Sequence, residues 1–201
     1  MHDLLKTGRI ELPDATLEFD RHFLPGDEAD NLFTVLLEKI PWRLDQIRIF
    51  GKAYPQPRLT ALYGNNANSY TYSGITMEPE PFIAELRDLK HRVEQRSGHT
   101  FTTCLLNLYR DGNDSNGWHA DNEKELGTNP VIASVSLGET RSFHLKHRRQ
   151  KSLRYRMSLG HGSLLVMGGP MQHNWLHQVP KTRKPVKPRI NLTFRNINKK
   201  L

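Results

Sequence analysis

Pro188-Arg189-Ile190-Asn191-Leu192-Thr193-Phe194-Arg195 alternates apolar and polar side chains without a break. In extended backbone Ile190, Leu192 and Phe194 leave one face, and Arg189, Asn191, Thr193 and Arg195 leave the other. The apolar face belongs to a core. The polar face has two readings. It is either the wetted outside of an antiparallel sheet or the inside of a β-sandwich, where two desolvated guanidiniums persist only beside anions. A dicarboxylate is a fitting partner in the second case, because guanidinium offers a planar donor fork matched to carboxylate. Arg189 and Arg195 stand about 20 Å apart along an extended strand at roughly 3.3 Å per residue, so their side chains must converge to grip one small molecule.

Five further β-like runs come before it, at 100–109, 131–137, 141–147, 153–159 and 163–167, separated by Gly, Asn, Pro or basic turns. Short strands at this spacing predict a sandwich or barrel over the C-terminal half. Upstream the period becomes helical: Leu32, Val35, Leu36 and Ile40 mark one amphipathic helix over 28–40. Phe82, Leu86, Leu89 and Val93 mark a second over 79–96, with Gly98 near its stop. The expected fold class is α+β, mainly β: a double-stranded β-helix (jelly roll) buttressed by N-terminal helices. That architecture assigns no chemistry by itself.

The 201 residues have the length of one domain and can bury a core without disulfides or a partner, so a monomer is expected. A single cysteine, Cys104, excludes a disulfide framework and a Cys-based zinc or iron–sulfur centre, and it fits a reducing compartment. The opening MHDLLKTGRIELPD lacks the apolar stretch of a signal peptide, and no segment is long and apolar enough for a bilayer. No membrane association is expected, and the location expected is the cytoplasm, or the nucleus in a eukaryote. Net charge is +8, yet residues 1–40 hold nine acids against four bases, while 141–156 and 181–200 contain no acid. Clustered cations of this kind suit a phosphate backbone, because each contact releases condensed counterions. A solvated charge run explains the composition equally well.

Gly117-Trp118-His119-Ala120-Asp121 places His119 and Asp121 two residues apart, so in extended backbone both side chains leave one face and can chelate one ion. Two imidazoles and a carboxylate on one face of an octahedron leave three positions open, which suits non-haem iron(II) taking a bidentate co-substrate and oxygen. His177, with 55 residues between it and Asp121, is the choice for third ligand. His-x-Asp also occurs in ordinary surface loops. His173 and His177 stand four apart as in zinc-binding helices, but no HExxH accompanies them, and Pro170 and Pro180 leave no room for a long helix. His144, His147 and His161 lack an acidic neighbour at chelating spacing and are expected at the surface or facing phosphate. Asn107 and Tyr109, in Leu106-Asn107-Leu108-Tyr109, add an amide and a phenol on one face.

Taken together, Asn107-Leu108-Tyr109, His119-Ala120-Asp121, His177 and the strand from Arg189 to Arg195 resemble the AlkB family of iron(II)- and 2-oxoglutarate-dependent dioxygenases, and within it the DNA-repairing alkylated-base demethylases. The likeness runs from about residue 47 to 197. It implies iron(II) as metal, with 2-oxoglutarate and O2 as co-substrates. It also implies His119, Asp121 and His177 as ligands, and Arg189 and Arg195 as a 2-oxoglutarate clamp helped by Asn107, Tyr109, Asn191 and Thr193. The implied reaction couples decarboxylation of 2-oxoglutarate to succinate with hydroxylation of an N-methyl group on bases such as 1-methyladenine and 3-methylcytosine. Formaldehyde then leaves. The domain expected is one dioxygenase unit over 1–201: an extension and first helix (1–46), a nucleotide-recognition segment and second helix (47–98), and the jelly-roll core (99–197).

For the substrate, Ser69-Tyr70-Thr71-Tyr72-Ser73-Gly74 resembles the family's base-covering segment, with Tyr72 for stacking and Tyr70 and Ser73 for polar contacts. A hairpin with ordinary cross-strand tyrosines is the plainer reading. Asn122 stands where relatives often carry an acid, and Glu123 remains as an acceptor for a cationic base. Phe50 resembles the wedge of duplex-active relatives, with cations such as Lys52 and Arg58 on the backbone; Phe50 as packing is the plainer alternative. The expected partner is nucleic acid, DNA first and RNA as a further class. Two other functions stay open: a 2-oxoglutarate-dependent hydroxylase of tRNA, protein or a small molecule, and a nucleic-acid-binding jelly roll without catalysis.

Overall fold

The computed structural model describes residues 1–4, 6–49, 52–65, 70–72 and 75–197, with backbone alone at 48, 49, 52, 70–72, 75 and 76. Two sheets face one another. The larger has eight strands in the order Gly8–Leu12, Ala15–Asp20, Ser163–Gly168, Ile132–Gly138, Arg189–Arg195, Thr103–Tyr109, Leu59–Gly64 and Glu80–Pro81. The smaller has five: His2–Asp3, Arg154–Leu159, Arg141–His147, Trp175–Val179 and Asn116–His119. Two short hairpins stand apart, Gln46–Ile49 with Lys52–Pro55 and Tyr70–Tyr72 with Ile75–Met77. The jelly roll buttressed by helices is the architecture expected, with all six predicted runs present as strands.

Period-2 alternation sorts the side chains of the larger sheet into two cores. On one side Cys104, Leu106 and Leu108, Ala133, Val135 and Leu137, and Ile190, Leu192 and Phe194 pack on helices Gly26–Lys39 and Ala84–Ser97 through Leu36, Leu86, Leu89 and Val93. On the other, Leu105, Leu165 and Met167 meet Phe143, Leu145, Met157, Trp175 and Val179 of the smaller sheet. The second helix stops where the sequence indicates: Gly98 takes φ 72° and its N–H returns to the carbonyl of Glu94, a left-handed cap that glycine adopts without a Cβ penalty.

The larger sheet also draws in chain from well before residue 99. Gly8–Leu12 and Ala15–Asp20 form a hairpin whose second strand pairs with Ser163–Gly168. Leu59–Gly64 pairs with Thr103–Tyr109. Every residue of Arg189–Arg195 and of Thr103–Tyr109 is buried. The central strand therefore lies between two cores, with its polar face inside the sandwich.

Candidate metal and co-substrate site

His119 ends the strand Asn116–His119, which pairs antiparallel with Trp175–Val179 so that His119 stands opposite His177. Their rings lie 4.2 Å apart, centroid to centroid. Asp121 follows two residues later, 1% exposed, with its backbone N–H donated to Oε1 of the buried Gln172 at 3.0 Å. One donor atom from each of His119, Asp121 and His177 lies within 4.8 Å of the others, and among the described residues no other group of three possible ligands does so. These are the three residues that the sequence singles out as candidate ligands.

Protonation also suits a divalent ion. Burial pushes the His119 imidazole down, and burial together with the neighbouring His119 pushes His177 to about 3, so both rings are neutral near pH 7. Burial alone would raise the Asp121 carboxyl, but the Arg195 guanidinium and the two imidazoles outweigh it and hold the group at about 2. His119 Nδ1 lies 2.7 Å from the Gly117 carbonyl oxygen, which fixes the tautomer and leaves the Nε2 lone pair available, 3.2 Å from Asn116 Nδ2. His177 Nδ1 is buried with no hydrogen-bond partner among the described residues. Two neutral nitrogens and one anionic oxygen, desolvated and convergent, fit iron(II).

The polar face of the central strand continues from this point. Arg195 Nη2 donates to Asp121 Oδ1 at 2.9 Å. Asn191 Nδ2 donates to Ser134 Oγ at 2.7 Å and to the Val135 carbonyl at 3.1 Å, and the Thr193 hydroxyl lies 3.4 Å from Asn191 Oδ1. At the other end Arg189 Nη2 donates to Ser136 Oγ at 2.9 Å, with the guanidinium carbon 5.2 Å from the Tyr109 ring centre. Burial lowers the Arg189 pKa to about 10, which still leaves it charged at neutral pH. Its Nε and Nη1 are buried without a hydrogen-bond partner among the described residues. The two arginines therefore do not converge on one point; they mark opposite ends of one polar strip. The cleft above it is lined by Asn107, Tyr109, His119, Asp121, Ser134, His177, Asn191, Thr193 and Arg195, with Phe143, Met167 and Val179 as apolar walls.

Other expectations fare differently. Asn122 is exposed, and Glu123 is half-buried where a short helical turn, Lys124–Leu126, begins. Phe50 and Ser73 lie outside the described residues, as do the side chains of Tyr70 and Tyr72, whose backbone forms one arm of a hairpin. Arg58 is not a surface cation facing phosphate: it is 3% exposed and bonded to Asn107 and to the Ser115 carbonyl. His147 is likewise not at the surface. Its ring is buried edge-on against Trp175, with Nε2 3.3 Å from Asp14. Of the two acid-free stretches, Arg141, Arg189 and Arg195 are buried, whereas Arg148, Arg149 and Lys151 stand exposed on the turn after Arg141–His147. Sequence reading passed over Arg141, which is held by the carbonyls of Asp111, Asp114 and Pro180 with its guanidinium carbon 5.7 Å from the Tyr109 ring centre. It also passed over Gln172. Neither carries a local pattern that would mark it.

The sequence profile of the 2OG-Fe(II) oxygenase superfamily matches residues 17–195. The chain is 43% identical to alpha-ketoglutarate-dependent dioxygenase alkB homolog 3 of Mus musculus over 184 residues, which is 87% of this chain and 64% of that protein. It is 39% identical to the DNA oxidative demethylase ALKBH2 of Bos taurus over 203 residues, 96% of this chain and 73% of that one. A solved structure, OsALKBH1, superposes with a TM-score of 0.67 at 20% identity, covering 93% of this chain and all of that one, and supports the fold. The chain spans slightly less than two thirds of the length of the alkB homolog 3 relatives it matches.

Proposed function

The chain belongs to the AlkB family within the 2OG-Fe(II) oxygenase superfamily, and from that membership we propose that it removes alkyl groups oxidatively from bases such as 1-methyladenine and 3-methylcytosine in DNA, with RNA as a further substrate class. The observation that carries this reading is the buried polar strip running from the His119–Asp121–His177 cluster to Arg189. A strip with a cation at each end suits a dicarboxylate that reaches from the metal toward the far guanidinium.

In this reading His119, Asp121 and His177 hold iron(II), which with 2-oxoglutarate supplies the oxidation of an otherwise unreactive C–H bond. Arg195 steadies the Asp121 carboxylate and would offer its positive charge to a carboxylate of a co-substrate bound in the cleft. Arg189, with two nitrogens beside Tyr109 that have no hydrogen-bond partner among the described residues, would take the second carboxylate. Asn107, Asn191 and Thr193 orient the acid between them, and Phe143, Met167 and Val179 exclude water. No side chain need act as a general base for the oxidative step. Tyr70, Tyr72, Ser73, Asn122 and Glu123 are proposed to receive the extruded base, and Phe50 to fill the vacated stack.

The proposal further takes residues 1–201 as one dioxygenase unit that acts as a monomer in the cytoplasm or nucleus. No helix among the described residues is long and apolar enough to cross a membrane. The test is base-resolved product analysis and formaldehyde detection on methylated DNA and RNA oligonucleotides with iron(II), ascorbate and 2-oxoglutarate. Loss of the methyl group coupled to succinate formation is expected. Succinate formation stimulated by a protein or small molecule, with no methylated base consumed, would overturn the substrate assignment.

A further inference from the structure

Arg58 sits directly after Pro57, one residue before the strand Leu59–Gly64. Its guanidinium is buried between two parts of the site. Nε donates to Oδ1 of Asn107 at 2.7 Å, and Nη1 donates to the Ser115 carbonyl at 3.2 Å. The Ser115 N–H in turn donates to the Pro57 carbonyl at 2.8 Å. Asn107 lies in mid-strand, flanked by Asn191 on one neighbour and Thr60 on the other, and it lines the cleft. Ser115 immediately precedes the strand that ends at His119.

A primary amide has an accepting end and a donating end. A carboxylate in the cleft only accepts, so the amide beside it is useful in one orientation and repulsive in the other. Oδ1 of Asn107 is engaged by the Arg58 cation, which leaves the two N–H groups of Nδ2, on a side chain that lines the cleft, for a ligand. We infer that Arg58 is a positioning residue for the co-substrate: it locks the Asn107 amide with its donors toward the cleft and ties the start of the His119 strand to the same group. The inference rests on the proposed reading of Asn107 as a contact to 2-oxoglutarate. It needs a planar fork, because Nε and Nη1 serve partners on different elements; a lysine has a single nitrogen for both.

The test is calorimetric binding of 2-oxoglutarate to the full chain loaded with manganese(II), a redox-silent stand-in for iron. Parent, Asn107→Ala, Arg58→Met, Arg58→Lys and the Asn107→Ala/Arg58→Met double variant are compared, with manganese affinity and melting temperature measured alongside. Asn107→Ala and Arg58→Met should each weaken 2-oxoglutarate about tenfold, as expected for a hydrogen bond to a charged group. Arg58→Lys should fall between them and the parent. In the Asn107→Ala background Arg58→Met should add nothing, a coupling that a merely structural role would not produce. Unchanged affinity in Arg58→Met while Asn107→Ala is weakened, additive losses in the double variant, or a loss confined to DNA affinity would each overturn the positioning role. No effect of Asn107→Ala would instead overturn the reading of Asn107 itself. Should Arg58→Met not fold, Arg58→Lys alone and combined with Asn107→Ala decides by the same coupling.

Discussion

Arg195 donates from Nη2 to Oδ1 of Asp121 at 2.9 Å, with the two side chains 4% and 1% exposed. The carboxylate proposed as metal ligand is thus also the partner of a buried cation. Asp121→Ala should abolish turnover and metal binding, and it should also remove the buried carboxylate that Arg195 bonds, lowering stability. Asp121→Asn keeps the shape and should remain better folded while equally inactive. Metal titration and thermal melts of both variants check this; near-parental activity in either would remove Asp121 from the ligand set.

The opposite ends of the polar strip predict different phenotypes for its two arginines. Arg189→Ala should raise the 2-oxoglutarate requirement at least tenfold, because a charge-assisted hydrogen bond to the far carboxylate disappears, and leave metal affinity alone. Arg195→Ala should weaken both, because it touches Asp121 directly. Separate metal and 2-oxoglutarate titrations of each variant decide, and identical profiles would sink the two-ended picture.

Stability of the metal-free protein should fall on the acid side in two stages. His177 takes a proton near pH 6.5 when unfolded but only near 3 when folded. The unfolded chain therefore binds the extra proton between those values, and stability drops as pH falls through that window by at most about 1.4 kcal/mol per unit. Asp121, folded at about 2 against an unfolded value near 3.9, contributes stability above pH 4 that is lost as pH falls toward 2. Urea midpoints from pH 7 to 5 measure the first stage, and His177→Gln should lessen its slope, leaving the share of His119, whose imidazole burial likewise pushes down.

Exposed Arg148, Arg149 and Lys151 crown the turn after the Arg141–His147 strand. Neutralising all three should weaken binding to any DNA sequence and lower the slope of log affinity against log salt by about 0.9 for each phosphate that these cations neutralise in the parent. Turnover of a free methylated nucleoside should hold steady. A parental salt slope would identify the turn as solvated surface.

Phe50→Ala should impair demethylation of a duplex more than of a single strand carrying the same lesion, because only the duplex must be unstacked. A thermal melt controls for folding. Equal losses on both substrates would leave Phe50 a packing residue.

Much of this was legible in sequence because alternation is a short-range signal. In Arg189–Arg195 it separated three apolar residues from four polar ones, although only the second sheet, supplied by Arg141–His147 and Trp175–Val179, decides that the polar set is dry. The candidate metal cluster is readable because two of its proposed ligands share one segment. The hairpin of Gly8–Leu12 and Ala15–Asp20 was passed over even though Ala15, Leu17 and Phe19 alternate, since its outward acids made the segment look like a charged extension. Arg58 and Arg141 were misread or missed for one reason: a guanidinium is solvated by default, and only partners 49 and 27 residues away along the chain reveal that these two are inside.

Among the described residues Asn116–His119 is an edge strand: it has one hydrogen-bonded neighbour, Trp175–Val179, and the register shifts between Asn116 and His119. An ion held by His119, Asp121 and His177 would bridge that edge to its neighbour as a clasp. Amides of residues 116–121 should therefore exchange with deuterium faster in the metal-free protein than in the manganese form, while those of Thr103–Tyr109, between two cores, exchange alike in both. The ion would then set the mechanical integrity of one border of the fold as well as its chemistry.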